Sequence, residues 1–298
     1  MGRLFIRKGK KRYSGTDFTS AQLPTTRKEV FFDLFSHSIG KLFKLSGLCA
    51  IFALPAIIWI AYMSDAIYSV AKELATLSGI QYAIALNKGY ALTNTLYFGL
   101  IPLLMIWGLG FAGAFRVIKK MVWGEGVLLS ADFFLGIKDN YKQFLTWFFI
   151  IGVSLFIMVF NYNYSQSNYD MSFLEQAGIA VSIAQLVLVG LFSMFYLPQA
   201  VLYTLGFGAI LKNSLLFLIK TFFKSIGVFA LSIGIFAFLL LLPYNLAKIA
   251  AIAIFLVIGS VYTVIVWTLY THSVFDKYIN QEHHVEIYQK GLWKNDNI

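Results

Sequence analysis

The stretch Ala250-Ala-Ile-Ala-Ile-Phe-Leu-Val-Ile-Gly-Ser-Val-Tyr-Thr-Val-Ile-Val-Trp-Thr-Leu-Tyr-Thr271 decides the fold class. Its 22 residues hold no Asp, Glu, Lys or Arg, whereas these four types make up 13% of the chain. A helix of about 20 apolar residues crosses the roughly 30 Å hydrocarbon core of a bilayer, so the stretch reads as a membrane span. Five more lie upstream, at 45–63, 97–115, 144–161, 179–205 and 226–242. The six cover 122 residues, where a 13% share would place about 16 charges, and none is present. Each mid-bilayer charge costs roughly 2.5–3.5 kcal/mol on insertion scales, so this exclusion marks sequence adapted to lipid. A mean hydropathy of +0.72 excludes a soluble enzyme, and an aromatic share of 17% excludes a chain disordered throughout. The expectation is an all-α, polytopic membrane helix bundle with six transmembrane helices.

The net charge of +10 then reads as a topology signal rather than a nucleic-acid footprint, and no nucleic-acid partner is expected. Of 24 Lys and Arg, 21 fall in 1–44, 116–143, 206–225 and 272–298; only Lys72, Lys88 and Lys248 lie on the other side of the spans. By the positive-inside rule both termini are cytoplasmic. Residues 1–25 form a basic arm, with Arg7, Lys8, Lys10, Lys11 and Arg12 in six positions, expected to be disordered beside anionic lipid. No signal-peptide core precedes Thr25, and Ile6 breaks the myristoylation pattern. Residues 26–275 are the six-span domain and 276–298 a solvated tail. The fourth stretch is too long for one straight crossing, so Pro198 is expected to bend it and lay Gln199 to Leu205 along the interface.

An amphipathic helix is expected to open each pair of spans. Thr26-Arg-Lys-Glu29 fits a capping box, and Phe31, Leu34, Phe35, Ile39 and Leu42 follow at helical spacing. Phe134, Ile137 and Tyr141 do the same beside Asp132, Lys138, Asp139 and Lys142, as do Leu215, Leu218, Ile219 and Phe222 beside Lys212, Lys220 and Lys224. A shift of 82 residues superposes Lys138 on Lys220, Lys142 on Lys224 and Gly152 on Gly234. This reads as three parallel hairpin repeats, starting near Arg27, Val127 and Ala209, each with a cytoplasmic interfacial helix. Ser64 to Asn94 is an outer segment in which Ile67, Val70, Ala71 and Leu74 suggest another surface helix. Pro55, Pro102 and Pro198 free carbonyls inside spans, and Gly108, Gly110, Ala112, Gly113 and Ala114 permit close helix approach.

Chemistry is sparse. Cys49 is the lone cysteine, so no intramolecular disulfide or cysteine metal cluster is possible. His37, His272, His283 and His284 lack chelating spacing, no Walker pattern is present, and the spans carry no acid or base. No enzymatic activity, metal or cofactor is expected, and any transport is expected not to be driven by protons or sodium. The polar residues at depth are uncharged: Thr146, Ser154, Ser182, Gln185, Ser232, Ser260 and Thr263. Interhelical hydrogen bonds explain them, and the sharper alternative has Gln185 lining the path of a neutral solute. Asn161, Tyr162, Asn163, Tyr164, Gln166, Asn168 and Tyr169 form an outer Tyr/Asn-rich loop able to stack on a sugar, with Asn163-Tyr164-Ser165 as an accidental sequon. Asn161 and Tyr162 join Gln185 as candidate solute-binding residues.

The segment Gly110-Phe-Ala-Gly-Ala-Phe-Arg116-Val-Ile-Lys119-Lys-Met-Val-Trp123-Gly-Glu125-Gly, with Asp132-Phe-Phe134 and Ile137-Lys-Asp-Asn140-Tyr-Lys-Gln143, resembles the signature region of the YesL-like family of bacterial integral membrane proteins. Phe35 to Pro55 and Tyr196 to Lys224 resemble that family's first span and later half. The resemblance implies a multi-pass protein of the bacterial plasma membrane, often encoded beside carbohydrate importers and their sensors, and it transfers no catalytic residue. The longer basic arm and the segment 64–94 depart from the pattern. The expected function is a non-catalytic accessory or regulator of a carbohydrate uptake or sensing system, with a stand-alone permease as the alternative. Besides membrane lipid, the expected partner is the importer or sensor protein, docking on Glu125, Asp132, Lys138, Lys142, Lys220 and Lys224.

Overall fold

A computed structural model of the protein describes residues 24–167 and 172–293. Among these residues there is no strand, and the principal helices are α1 (Arg27–Leu74), α2 (Gly79–Val122), α3 (Leu129–Gln166), α4 (Phe173–Leu202), α5 (Phe207–Lys220), α6 (Phe222–Leu241) and α7 (Leu246–His283). All but the short α5 are long and apolar enough to cross a membrane, as the six uncharged stretches predict. The basic arm at 1–23, Asn168 and Tyr169 of the outer segment, and 294–298 of the tail lie outside the described residues.

The small residues of α2 let its neighbours close in. A Cβ on Gly136 of α3 would stand 2.8 Å from the Ala112 carbonyl oxygen, and one on Gly152 would stand 3.1 Å from Ile101 Cα, so the α2 and α3 backbones touch where glycine permits it. Gly108 and Gly113 receive the rings of Phe148 and Phe133 from α3, while Gly110 faces Cys49 of α1. Trp59 of α1 donates Nε1–H to the Leu96 carbonyl of α2 at 2.9 Å. The main core gathers Leu42, Leu45, Phe115, Ile118, Phe144, Met194, Phe195 and Ile265, all essentially inaccessible.

The polar residues at depth tie helices together. Helices α6 and α7 each widen to a π turn, at Ala230–Gly234 and Phe255–Gly259. Such a turn displaces carbonyls from the helical ladder, and side chains of facing helices capture them. Thr263 donates to the Ser232 carbonyl (3.3 Å), Tyr262 to that of Leu231 (3.3 Å) and Ser46 to that of Leu256 (2.7 Å). Trp267 Nε1 donates to Ser232 Oγ at 2.9 Å. The Gln185 amide donates to Ser154 Oγ at 3.4 Å, joining α4 to α3.

The structure differs from several expectations. Of the three helices expected to be interfacial only the last, α5, is separate, because the chain breaks helical geometry at Thr221 (φ −124°, ψ 21°). In α1 the buried apolar positions Val30, Leu34, Leu42, Leu45, Cys49, Ala53, Ala56, Met63 and Val70 form one stripe at three-, four-, seven- and eight-residue steps, so the amphipathic segment runs straight into the span and on to Leu74. The same continuity removes the separate surface helix expected around Ile67. Likewise α3 carries Asp132 to Gln166 in one helix, so Asn161 to Gln166 are helical rather than a loop. Helix α4 passes through Pro198 to Leu202, so Gln199 to Leu202 continue it, and Gln199 is wholly buried, its amide donating to Ser214 Oγ of α5 at 3.0 Å. Finally, α7 continues past residue 275 to His283, and the chain then folds back over the bundle.

Candidate functional site at the basic end of the bundle

The end of the bundle holding the starts of α1 and α3 and the ends of α2, α4 and α7 carries a polar layer. Local sequence sets up its parts. Thr26 caps α1 by accepting from Glu29 N–H at 3.3 Å, and the Glu29 carboxylate takes Thr25 N–H at 2.8 Å, a capping box displaced by one residue on its return side. This fixes Arg27 at the first helical position, from which its guanidinium reaches Asp276 of α7. The two form an ion pair of 2.8 Å. Asp276 Oδ1 also accepts from Asn280 Nδ2 at 2.8 Å, one turn along a π turn, and Asn280 Oδ1 accepts the Tyr203 hydroxyl at 2.6 Å. The sequence offered a signal for this chain: Asp276 and Asn280 stand four apart just beyond the last span, hence on one face.

The returning segment straps the layer. Arg27 donates to the Lys290 carbonyl (2.9 Å), Gln289 N–H to Asp276 (3.2 Å), Trp293 N–H to the Pro24 carbonyl (2.9 Å) and Lys290 Nζ to Glu125 (2.7 Å). The Lys290 ammonium also lies 4.1 Å from the centre of the Trp123 ring. Gly291 adopts φ +84° against the Val122 carbonyl, a position that excludes any Cβ. Residues 287–292 are therefore packed against the bundle, whereas Glu282, His283 and Glu286 stand exposed as a solvated tail predicts.

Sequence reasoning grouped six charged residues here, and the structure distributes them. Glu125 is taken by Lys290. Asp132 is 5% exposed; its carboxylate accepts from Lys120 and from Leu128 N–H, both at 2.8 Å. Burial opposes its ionisation, but the ammonium and the amide outweigh that, so the carboxyl titrates below its ordinary range. Asp139 pairs with Arg116. Lys138 and Lys142 stand exposed on α3, Lys220 at the end of α5 and Lys224 in the first turn of α6, with Lys220 over the Tyr278 ring at 4.7 Å. The candidate solute residues are not brought together. Gln185 sits between α3 and α4, Tyr162 is exposed, and Asn161 lies seven residues, about 10 Å, along α3 from the level of Ser154. Asn163 of the sequon is buried and bonded to Asn94 at 2.8 Å.

Several buried polar atoms among the described residues lack a hydrogen-bond partner, among them Arg27 Nε, Arg116 Nε, the Tyr196 hydroxyl and Thr268 Oγ, and the last lies beside a lysine without a carboxylate. Lys119, one turn beyond the second span, donates to the Val201 carbonyl at 2.9 Å and forms no ion pair among the described residues. Burial, with Arg116 nearby, holds its ammonium below the ordinary lysine range. Beside it, Thr268 Oγ is buried without a hydrogen-bond partner. Among the described residues no three His, Cys, Asp or Glu converge as metal ligands. Compared with known proteins, the chain matches no family model, no curated protein and no solved structure.

Proposed function

We propose that the chain is a non-catalytic accessory membrane protein that assembles with, or regulates, another membrane system through its basic end. The observation that supports this reading is the division of charge there. Three acids of the layer are paired within the chain, Glu125 with Lys290, Asp132 with Lys120 and Asp276 with Arg27, whereas Lys138, Lys142, Lys220 and Lys224 remain exposed. The surface on offer is cationic, which suits an acidic protein face and favours rapid encounter with it. Facing the cytoplasm, as the positive-inside split favours, this surface would meet the inner components of its partner. The YesL-like resemblance makes a bacterial carbohydrate importer or its sensor the first partner to test. Gln185, spent on Ser154 between two helices, gives a solute permease no comparable support.

The test is recovery of importer or sensor subunits with the tagged chain from its native membrane, quantified by mass spectrometry, for wild type and for Lys138→Glu, Lys142→Glu, Lys220→Glu and Lys224→Glu combined. Loss of those subunits with unchanged membrane insertion is expected. Equal recovery from both proteins, or recovery of no such subunit, would overturn the proposal.

A further inference from the structure

Two narrow crevices open at the basic end on either side of His272. One lies among Phe115, Lys119, Pro198, Val201, Thr268 and His272; the other lies under the returning strap, against Arg27 and Trp123. We propose that the first crevice is a binding site for a phosphate group, held by Lys119 and Thr268 beside His272.

Three observations carry the assignment. The Lys119 ammonium has three N–H donors; it donates to the Val201 carbonyl and lies 5.1 Å from the centre of the Trp123 ring, and no carboxylate is paired to it. Thr268 lines the same crevice 2% exposed, and its hydroxyl oxygen has no partner; a buried hydroxyl left so costs free energy that a ligand oxygen would restore. No carboxylate lines the crevice itself; Glu125 and Asp139 act on Lys119 from outside it, each paired with a cation of its own, Lys290 and Arg116. A phosphate oxygen accepts from both the ammonium and the hydroxyl, whereas a cation or a neutral apolar group would use neither.

The position indicates two sources of that group. Lys119 stands four residues beyond the apolar stretch 97–115, and His272 directly follows 250–271. That depth is where lipid headgroups lie, and basic pockets between helices at this level receive them. Trp123 and Tyr203, aromatic residues with polar tips, lie at the same level. The crevice as it stands has no room even for a water molecule, so an occupant enters only as the flexible Lys119 amine leaves the Val201 carbonyl and turns toward it. Either the phosphate of an anionic phospholipid or free inorganic phosphate has this chemistry.

Two measurements on the full-length purified protein separate them. Native mass spectrometry after reconstitution with phosphatidylglycerol counts retained lipid, and thermal unfolding in detergent at constant ionic strength compares inorganic phosphate with chloride. Lys119→Met removes the charge, and Thr268→Val removes the hydroxyl at nearly constant shape. Each should weaken binding about tenfold, the effect of one lost charge-assisted hydrogen bond, while Lys41→Gln on the exposed face of α1 should not. Retained lipid sensitive to both variants, without phosphate stabilisation, identifies a headgroup site. Phosphate-specific stabilisation sensitive to both, without retained lipid, identifies a free-anion site. If neither lipid retention nor phosphate stabilisation differs between wild type and Thr268→Val, the assignment is overturned.

Discussion

Arg27, the first residue of α1, and Asp276, near the end of α7, meet across 249 positions of sequence in an ion pair of 2.8 Å whose side chains are only 11% and 10% exposed. The contact joins the two ends of the six-helix chain. Removing one partner leaves a buried charge uncompensated, which typically costs about 3–5 kcal/mol. Asp276→Asn should therefore lower the melting temperature markedly, although asparagine still accepts from Asn280 and Gln289. The double variant Arg27→Met with Asp276→Asn removes both charges and should melt above Asp276→Asn alone. A double variant no more stable than the single one would show that the pair's charge is not what holds these ends.

Asp132 makes stability pH-dependent in a defined direction. Its carboxyl titrates below the ordinary range in the folded protein, so the unfolded chain binds a proton first as pH falls. The Lys120 contact is fully stabilising above the ordinary carboxylate pKa of about 4, and it is lost as pH drops through the lower folded value. Asp132→Asn should be less stable than wild type at neutral pH, and the gap should close toward the acid end. Unfolding curves at a series of pH values decide this; a gap constant with pH would contradict the assignment.

The strap depends on a position that only glycine fits. Gly291 lies at φ +84° with the Val122 carbonyl where a Cβ would go, and an ordinary residue in that conformation costs roughly 1–2 kcal/mol before any overlap. Gly291→Ala should release the strap without unfolding the spans. Cleavage by trypsin after Lys290, slow in wild type because its ammonium holds Glu125 and its carbonyl holds Arg27, should accelerate in the variant. Equal cleavage rates would show that the strap is held elsewhere.

Much of this architecture is readable from composition, because lipid excludes charge and leaves uninterrupted apolar runs. All six of the long apolar helices are visible in that way. What pattern alone did not convey is where helices end. Amphipathic segments before Lys44 and Gln143 look like separate surface helices, yet the buried stripe of α1 keeps its phase from Val30 to Val70, and nothing forces a break. The polar layer was equally hidden. Arg27, Tyr203, Asp276 and Asn280 are remote in sequence, and one sequence carries no signal that pairs them beyond the four-residue spacing of the last two. Glu125 and Asp132 were legible as members of the charged layer, but their partners Lys290 and Lys120 became evident only with the strap and the α2–α3 turn in place.

Orientation is the remaining expectation, and it follows from charge rather than from the helices. The split of 21 Lys and Arg against 3 predicts both termini in the cytoplasm and the α3–α4 connection outside. Cys49 is buried in α1, its thiol facing the Gly110 carbonyl at 3.5 Å, so Cys49→Ala gives a background free of reactive thiols at small cost in packing. Single cysteines replacing Ser14, Ser167 or Asn295 then report each side separately. In intact cells an impermeant thiol reagent should label position 167, where Ser167 is exposed at the end of α3, and should reach 14 and 295 only after the membrane is opened. Labelling at 14 or 295 but not at 167 would invert the molecule. The exposed lysines and the Lys119 crevice would then face outward, away from any cytoplasmic component of an importer, and the partner proposal would fail with the orientation.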